Sequence, residues 1–76
     1  MQGMSTLLAR QIPAHCVCKL VSVFERPYRW EIEVWGTEFP YAGIKRVYQL
    51  QAIHEQAAAQ LGMEKFSHEM HLMRAH

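Results

Sequence analysis

Between Arg29 and Trp35 the chain alternates large apolar and polar side chains with a period of two. Trp30, Ile32 and Val34 fall on one side; Arg29, Glu31, Glu33 and Trp35 fall on the other. Successive side chains of a strand point to opposite faces, so this run predicts a strand with one buried and one open face. Whatever else the chain does, it has to build a sheet and cover one side of it.

The flanking segments extend that sheet. Ala14 to Glu25 is rich in β-branched residues, with Val17, Val21 and Val23 on one face and Cys16, Cys18, Leu20 and Phe24 on the other. Neither face is polar, which predicts a strand buried on both sides or central in the sheet. Arg26-Pro27-Tyr28 supplies a turn, so the two strands read as a hairpin. Gly36 ends the second strand, and a loop punctuated by Pro40 and Gly43 carries Phe39 and Tyr41. Ile44 to Leu50 reads as a third strand, with Ile44, Arg46, Tyr48 and Leu50 on one face and Lys45, Val47 and Gln49 on the other.

From about His54 the period becomes helical. Ala58, Ala59, Gly62, Met63, Phe66, Met70 and Met73 share a broad arc flanked by Leu61 and Leu72. Gln56, Gln60, Glu64, Ser67, His68, His71 and Arg74 fill the opposite side. The division of faces holds across Gly62, which favours one continuous helix over two. No conventional N-cap precedes it, Ile53 standing where Ser, Asp or Asn would be expected. The expected fold is therefore α+β: a three-stranded antiparallel meander packed against one C-terminal helix, β-β-β-α, over residues 14–76. Residues 1–13 read as a flexible arm ending at Pro13, with a short helical turn around Ser5 to Arg10; Met4 offers an alternative start. A twenty-residue helix spans about 30 Å against about 23 Å for a seven-residue strand. That surplus leaves the Met-rich end, Met63, Met70 and Met73, to be covered by the arm or by a second copy of the chain, a homodimer through the helix.

Composition narrows function mainly by exclusion. Seventy-six residues with eight basic and seven acidic side chains carry a formal charge of +1. A reader of phosphate backbones needs a clear basic excess, so nucleic acid is disfavoured as a partner. No run approaches a membrane span and no signal peptide opens the chain. Cys16 and Cys18 share a strand face at a spacing unsuited to a disulfide or a four-ligand zinc site, which suggests reduced thiols and a cytoplasmic location. His15 and Cys16 point to opposite faces of a strand and cannot pair as base and nucleophile. Glu31 and Glu33 share a face, where Lys19, Lys45 and Arg46 are available to pair them across the sheet. Glu64, His68 and His71 form one polar stripe of the helix, a weak metal candidate that lacks a fourth ligand. With no Ser/His/Asp set, phosphate loop or H-E-x-x-H motif, neither enzymatic activity nor a cofactor is expected. Tyr28, Arg29, Glu31, Glu33, Trp35, Phe39, Tyr41, Lys45 and Arg46 remain as a candidate partner-binding set, since exposed aromatics beside charges anchor interfaces.

The run Trp30-Glu31-Ile32-Glu33-Val34, the basic Lys45-Arg46-Val47-Tyr48 and then Ala52-Ile53-His54-Glu55-Gln56-Ala57-Ala58 resemble in outline AP2-type DNA-binding domains and the arm-binding domains of some phage integrases. The likeness covers residues 15–73 and implies a sheet that enters the DNA major groove; apart from it, Lys19, Arg26, Arg29, Lys45 and Arg46 make a DNA- or RNA-binding module the alternative function. Glu31 and Glu33 stand on the face that would meet DNA. In size and layout the chain also resembles small orphan phage and prophage proteins, anti-CRISPRs among them. That resemblance implies a non-enzymatic, anti-defence inhibitor that binds a host protein or complex.

Overall fold

A computed structural model describes residues 11–74. Three antiparallel strands in the order β1-β2-β3 form an open sheet: β1 is Ala14–Ser22, β2 is Tyr28–Gly36 and β3 is Lys45–Ala52. One helix, α1 (Glu55–Arg74), follows and lies across one face. The β-β-β-α meander expected from the periodicity is the architecture of the chain.

Alternation in β2 works as the sequence requires. Trp30, Ile32 and Val34 are buried under α1, with Ile32 and Val34 wholly inaccessible. The Trp30 indole donates to the Ala52 carbonyl at 3.0 Å, which lets so large a polar-tipped ring be buried without cost to its N–H. From α1 the covering residues are Ala58, Gly62, Phe66 and Met70. Gly62 sits where the helix comes closest to the sheet: a Cβ there would lie 2.6 Å from Ile32 Cγ2 and 3.0 Å from its Cβ. The absent side chain permits the approach, and the helix runs through this position unbroken.

Several expectations are corrected. β1 is an edge strand, with β2 at the centre. Its double-sided apolar character does not reflect double burial, since Val17, Leu20 and Val21 stay exposed. It ends at Ser22, with a register shift between Leu20 and Ser22, so Val23 and Phe24 belong to the connection. β1 and β2 have nine residues each, long enough at about 3.4 Å per residue to match the twenty-residue helix. Hence the helix does not overhang: Met70 is fully buried and Met63 packs against the core. The surplus that suggested a second copy on the helix reduces to the exposed Leu72 and Met73. The helix is also capped after all, because His54 Nδ1 accepts from the Ala57 N–H at 3.1 Å. An imidazole thus does what Ser or Asp usually does at the residue before the first turn.

The arm from residue 1 to 10, including the turn expected around Ser5 to Arg10, lies outside the described residues. Its last part is built into the core. Ile12 is buried and its N–H donates to Ser67 Oγ at 2.9 Å, while the Pro13 carbonyl accepts from the Thr37 N–H at 3.1 Å. Ser67, assigned to the polar side of the helix, is therefore a buried contact.

Candidate functional site

One helix cannot cover both faces of a sheet, and among the described residues nothing covers the outer one. Strand register arranges that face in cross-strand rows. His15, Trp35 and Lys45 make the first row; Val17, Glu33 and Val47 the second; Lys19, Glu31 and Gln49 the third. Arg29 and Gln51 continue it toward the β1–β2 connection.

The two ends of this face differ in chemistry. Toward the connection, Arg29 is held by Glu25, its Nη2 2.8 Å from Oε1 and its Nε donating to both carboxylate oxygens at 3.1 and 3.2 Å. Gln51 Nε2 donates to the same carboxylate at 3.1 Å and to the Pro27 carbonyl at 3.2 Å. Gln49 Nε2 donates to Glu31 Oε1 at 3.3 Å. These groups satisfy one another. At the other end, Trp35 packs beside His15, ring centroids 6.0 Å apart, and Val17 and Val47 flank Glu33. Lys45 Nζ reaches Glu33 at 3.1 Å, so a single ion pair stands among three apolar side chains. Val17 and Val47 are each 53 % exposed, so aliphatic surface lies open on both sides of Glu33.

Of the partner-binding set, the structure brings together Arg29, Glu31, Glu33, Trp35 and Lys45. The remainder are elsewhere. Arg46 faces α1, where its Nε donates to Glu69 Oε2 at 3.0 Å; it is not a cross-strand partner for Glu31 or Glu33. Tyr48 donates to the other oxygen of Glu69 at 2.7 Å. Those two bonds, Tyr48's first, hold the Glu69 carboxyl below its ordinary value, while burial and the Glu69 contact push the Tyr48 phenol up. Tyr41 is buried in the core, and Tyr28 packs against it with the Arg26 guanidinium 5.2 Å from its ring centre. Phe39 is 93 % exposed, but on the helix side: with Pro40, Tyr41, Ile44 and Met73 it lines a shallow apolar groove. Gly36 makes this tight loop feasible, since a Cβ there would run into the Tyr41 carbonyl.

The partner-binding set omits His15, Val17 and Val47, although Val47 shares the face of Lys45 in the sequence pattern and the alternation of β1 puts His15 with Val17. Glu69 was missed too; its signal was an acid within the apolar arc of the helix, facing a strand whose covered side carries Arg46 and Tyr48. Glu64, His68 and His71 are exposed on α1, and no group of three or more His, Cys, Asp or Glu among the described residues is placed to hold a metal ion. Cys16 and Cys18 are free thiols on the helix side of β1; burial first, and then neighbouring Cys16, push the Cys18 thiol up to about 11. A thiol so disfavoured as thiolate is a poor nucleophile. No helix among the described residues is long and apolar enough to cross a membrane.

Compared with known proteins, the chain matches no family model, no curated protein and no solved structure.

Proposed function

We propose that this protein is a non-enzymatic interaction protein that docks onto another protein through the outer face of its sheet. The observation that carries this reading is the cluster of Val17, Trp35 and Val47 around the Glu33–Lys45 pair on a face that nothing described covers. The Trp35 indole is the kind of side chain that anchors an interface centre, and the valines beside it add open apolar surface. The ring of paired Arg29, Glu31, Gln49 and Gln51 beside it supplies a polar rim. In its finer form the proposal is that such docking occludes a surface of a host complex, the mode of the small phage inhibitors that the chain resembles.

Charge placement argues against nucleic acid as the occupant. Arg29, Lys45 and Arg46 are each committed to a carboxylate and Arg26 lies over Tyr28, which leaves Lys19 as the uncommitted cation of the basic set, too little charge for a phosphate backbone. Phosphate binding would have to break these pairs before gaining from its own.

The test is quantitative capture from the cells that make the protein, with three baits: the full chain, Trp35→Ala with Glu33→Arg, and Glu64→Ala with His68→Ala as a control. We expect a protein partner retained by the first and third baits and reduced at least tenfold by the second. Equal capture by all three, or recovery of nucleic acid that washes off with salt, contradicts the reading.

A further inference from the structure

The edge of β1 carries information that its faces do not. Thr37 N–H bonds to the Pro13 carbonyl at 3.1 Å, one step beyond the Ala14↔Gly36 pair. Hydrogen-bonded and non-hydrogen-bonded pairs alternate along an antiparallel ladder. The bonded pairs are therefore His15↔Trp35, Val17↔Glu33 and Lys19↔Glu31. Ala14, Cys16, Cys18 and Leu20 turn their N–H and C=O groups away from β2, toward an edge that no other strand among the described residues pairs with. Edge strands normally blunt such a row with charges, proline or brevity. β1 has nine residues, no proline and Lys19 as its one charged side chain. β3, the opposite edge, begins with Lys45 and Arg46 and presents glutamines along its outer row.

We propose that β1 pairs antiparallel with β1 of a second copy, joining two sheets into one of six strands. A two-fold axis perpendicular to the sheet keeps each side chain on its own face, so it matches only residues of equal parity. Pairing all of Ala14–Ser22 then fixes the centre of the strand on the axis. Cys18 meets Cys18 of the partner subunit, Cys16 meets the partner's Leu20, and Lys19 meets the partner's Val17. This register opposes no like charges. It uses the outward peptide groups of Cys16, Cys18 and Leu20 in both directions, and it lays the aliphatic stem of Lys19 beside the partner's exposed Val17 while the exposed Val21 meets the partner's His15. Both helices come to one side of the joined sheet, leaving the outer face continuous and still open. The pairing does not depend on the docking reading above.

Two measurements on the full chain test it. Light scattering should give twice the 8.9 kDa chain mass. Cys18→Pro removes an N–H that points away from β2, so the internal ladder is kept while the seam loses its central bonds; the mass should halve with the circular dichroism unchanged. Because a proline variant could unfold, a stoichiometric short bis-maleimide on otherwise unaltered protein, with an exposure long enough for the slow Cys18 thiol to be consumed, gives an independent readout. Paired Cys18 residues sit about 5.5 Å apart, whereas Cys16 and its copy are separated by four further residues, about 14 Å along the strands. Covalent dimer should form in the wild type and in Cys16→Ser and be lost in Cys18→Ser. A monomeric wild type at all concentrations overturns the proposal. So does a dimer that survives in folded Cys18→Pro, or cross-linking that needs Cys16.

Discussion

Ser67 ties the segment entering β1 to the helix through one hydrogen bond, and the amide it accepts from belongs to buried Ile12. Removing the hydroxyl leaves a donor away from water with no acceptor. Ser67→Ala is therefore expected to cost about 1–3 kcal/mol in denaturant unfolding, far above the few tenths typical of an exposed helix serine. This contact was not legible from sequence. A serine on the wheel's polar side looks like solvated surface until an incoming chain is known to pass over it. The ionisable contacts make a second expectation. Glu69 is held below its ordinary value of 4.5 in the folded state, so its contribution is present above that value and is lost as pH falls through the folded pKa. Cys18 is raised from 9.0 to about 11, so its contribution is complete below 9 and disappears as pH climbs toward 11. Denaturation midpoints against pH should thus fall at both ends. Glu69→Gln should flatten the acid limb. Cys18→Ala should flatten the alkaline limb, leaving the slope that raised Tyr48 adds in the same direction above pH 10.

At the scale of elements, two opposed effects meet at Gly62. Alanine is the better helix former by about 1 kcal/mol, but its methyl would enter a fully buried, β-branched Ile32 that has no free rotamer to yield. Overpacking of this kind costs about 1–3 kcal/mol. We expect Gly62→Ala to lose roughly 1 kcal/mol net, while Gln60→Ala on the exposed side changes stability by under about 0.5 kcal/mol. A rise in melting temperature for Gly62→Ala would show that the helix is not seated on Ile32 as described. Elements were the most readable level of this chain. β2 was legible because alternation over seven residues has only one structural solution, and α1 because its faces keep their period through Gly62. The position of β1 was not. Apolar residues on both faces of a strand signal double burial in a central strand, and they equally signal a bare edge; only the pairing order separates the two. Arg46 failed for a similar reason. Its face was assigned correctly, with Tyr48 and Leu50, but a cation on the covered side needs a partner from α1, and Glu69 lies twenty-three residues away.

At the largest scale, the decisive property is that among the described residues one helix serves a sheet with two faces. The covered face holds the core, and the other gathers Trp35, Val17 and Val47 around a single ion pair, with cations already bound to carboxylates at either end. Alternation alone placed Arg29, Glu31, Glu33, Trp35 and Lys45 on that outer side. It could not show that Tyr28 and Tyr41 would be drawn inward, since aromatics in turns and loops take whichever side offers cover. The account therefore stands on which face meets the partner. A photo-reactive side chain placed at Val47, at Gln49 and, separately, at Gln60 on the far side of α1 tests this most directly in the cells that make the protein. Irradiation should yield a covalent protein adduct of one size from Val47 and Gln49 and none from Gln60. An adduct from Gln60 alone, or nucleic acid cross-linked at the sheet positions, would contradict it.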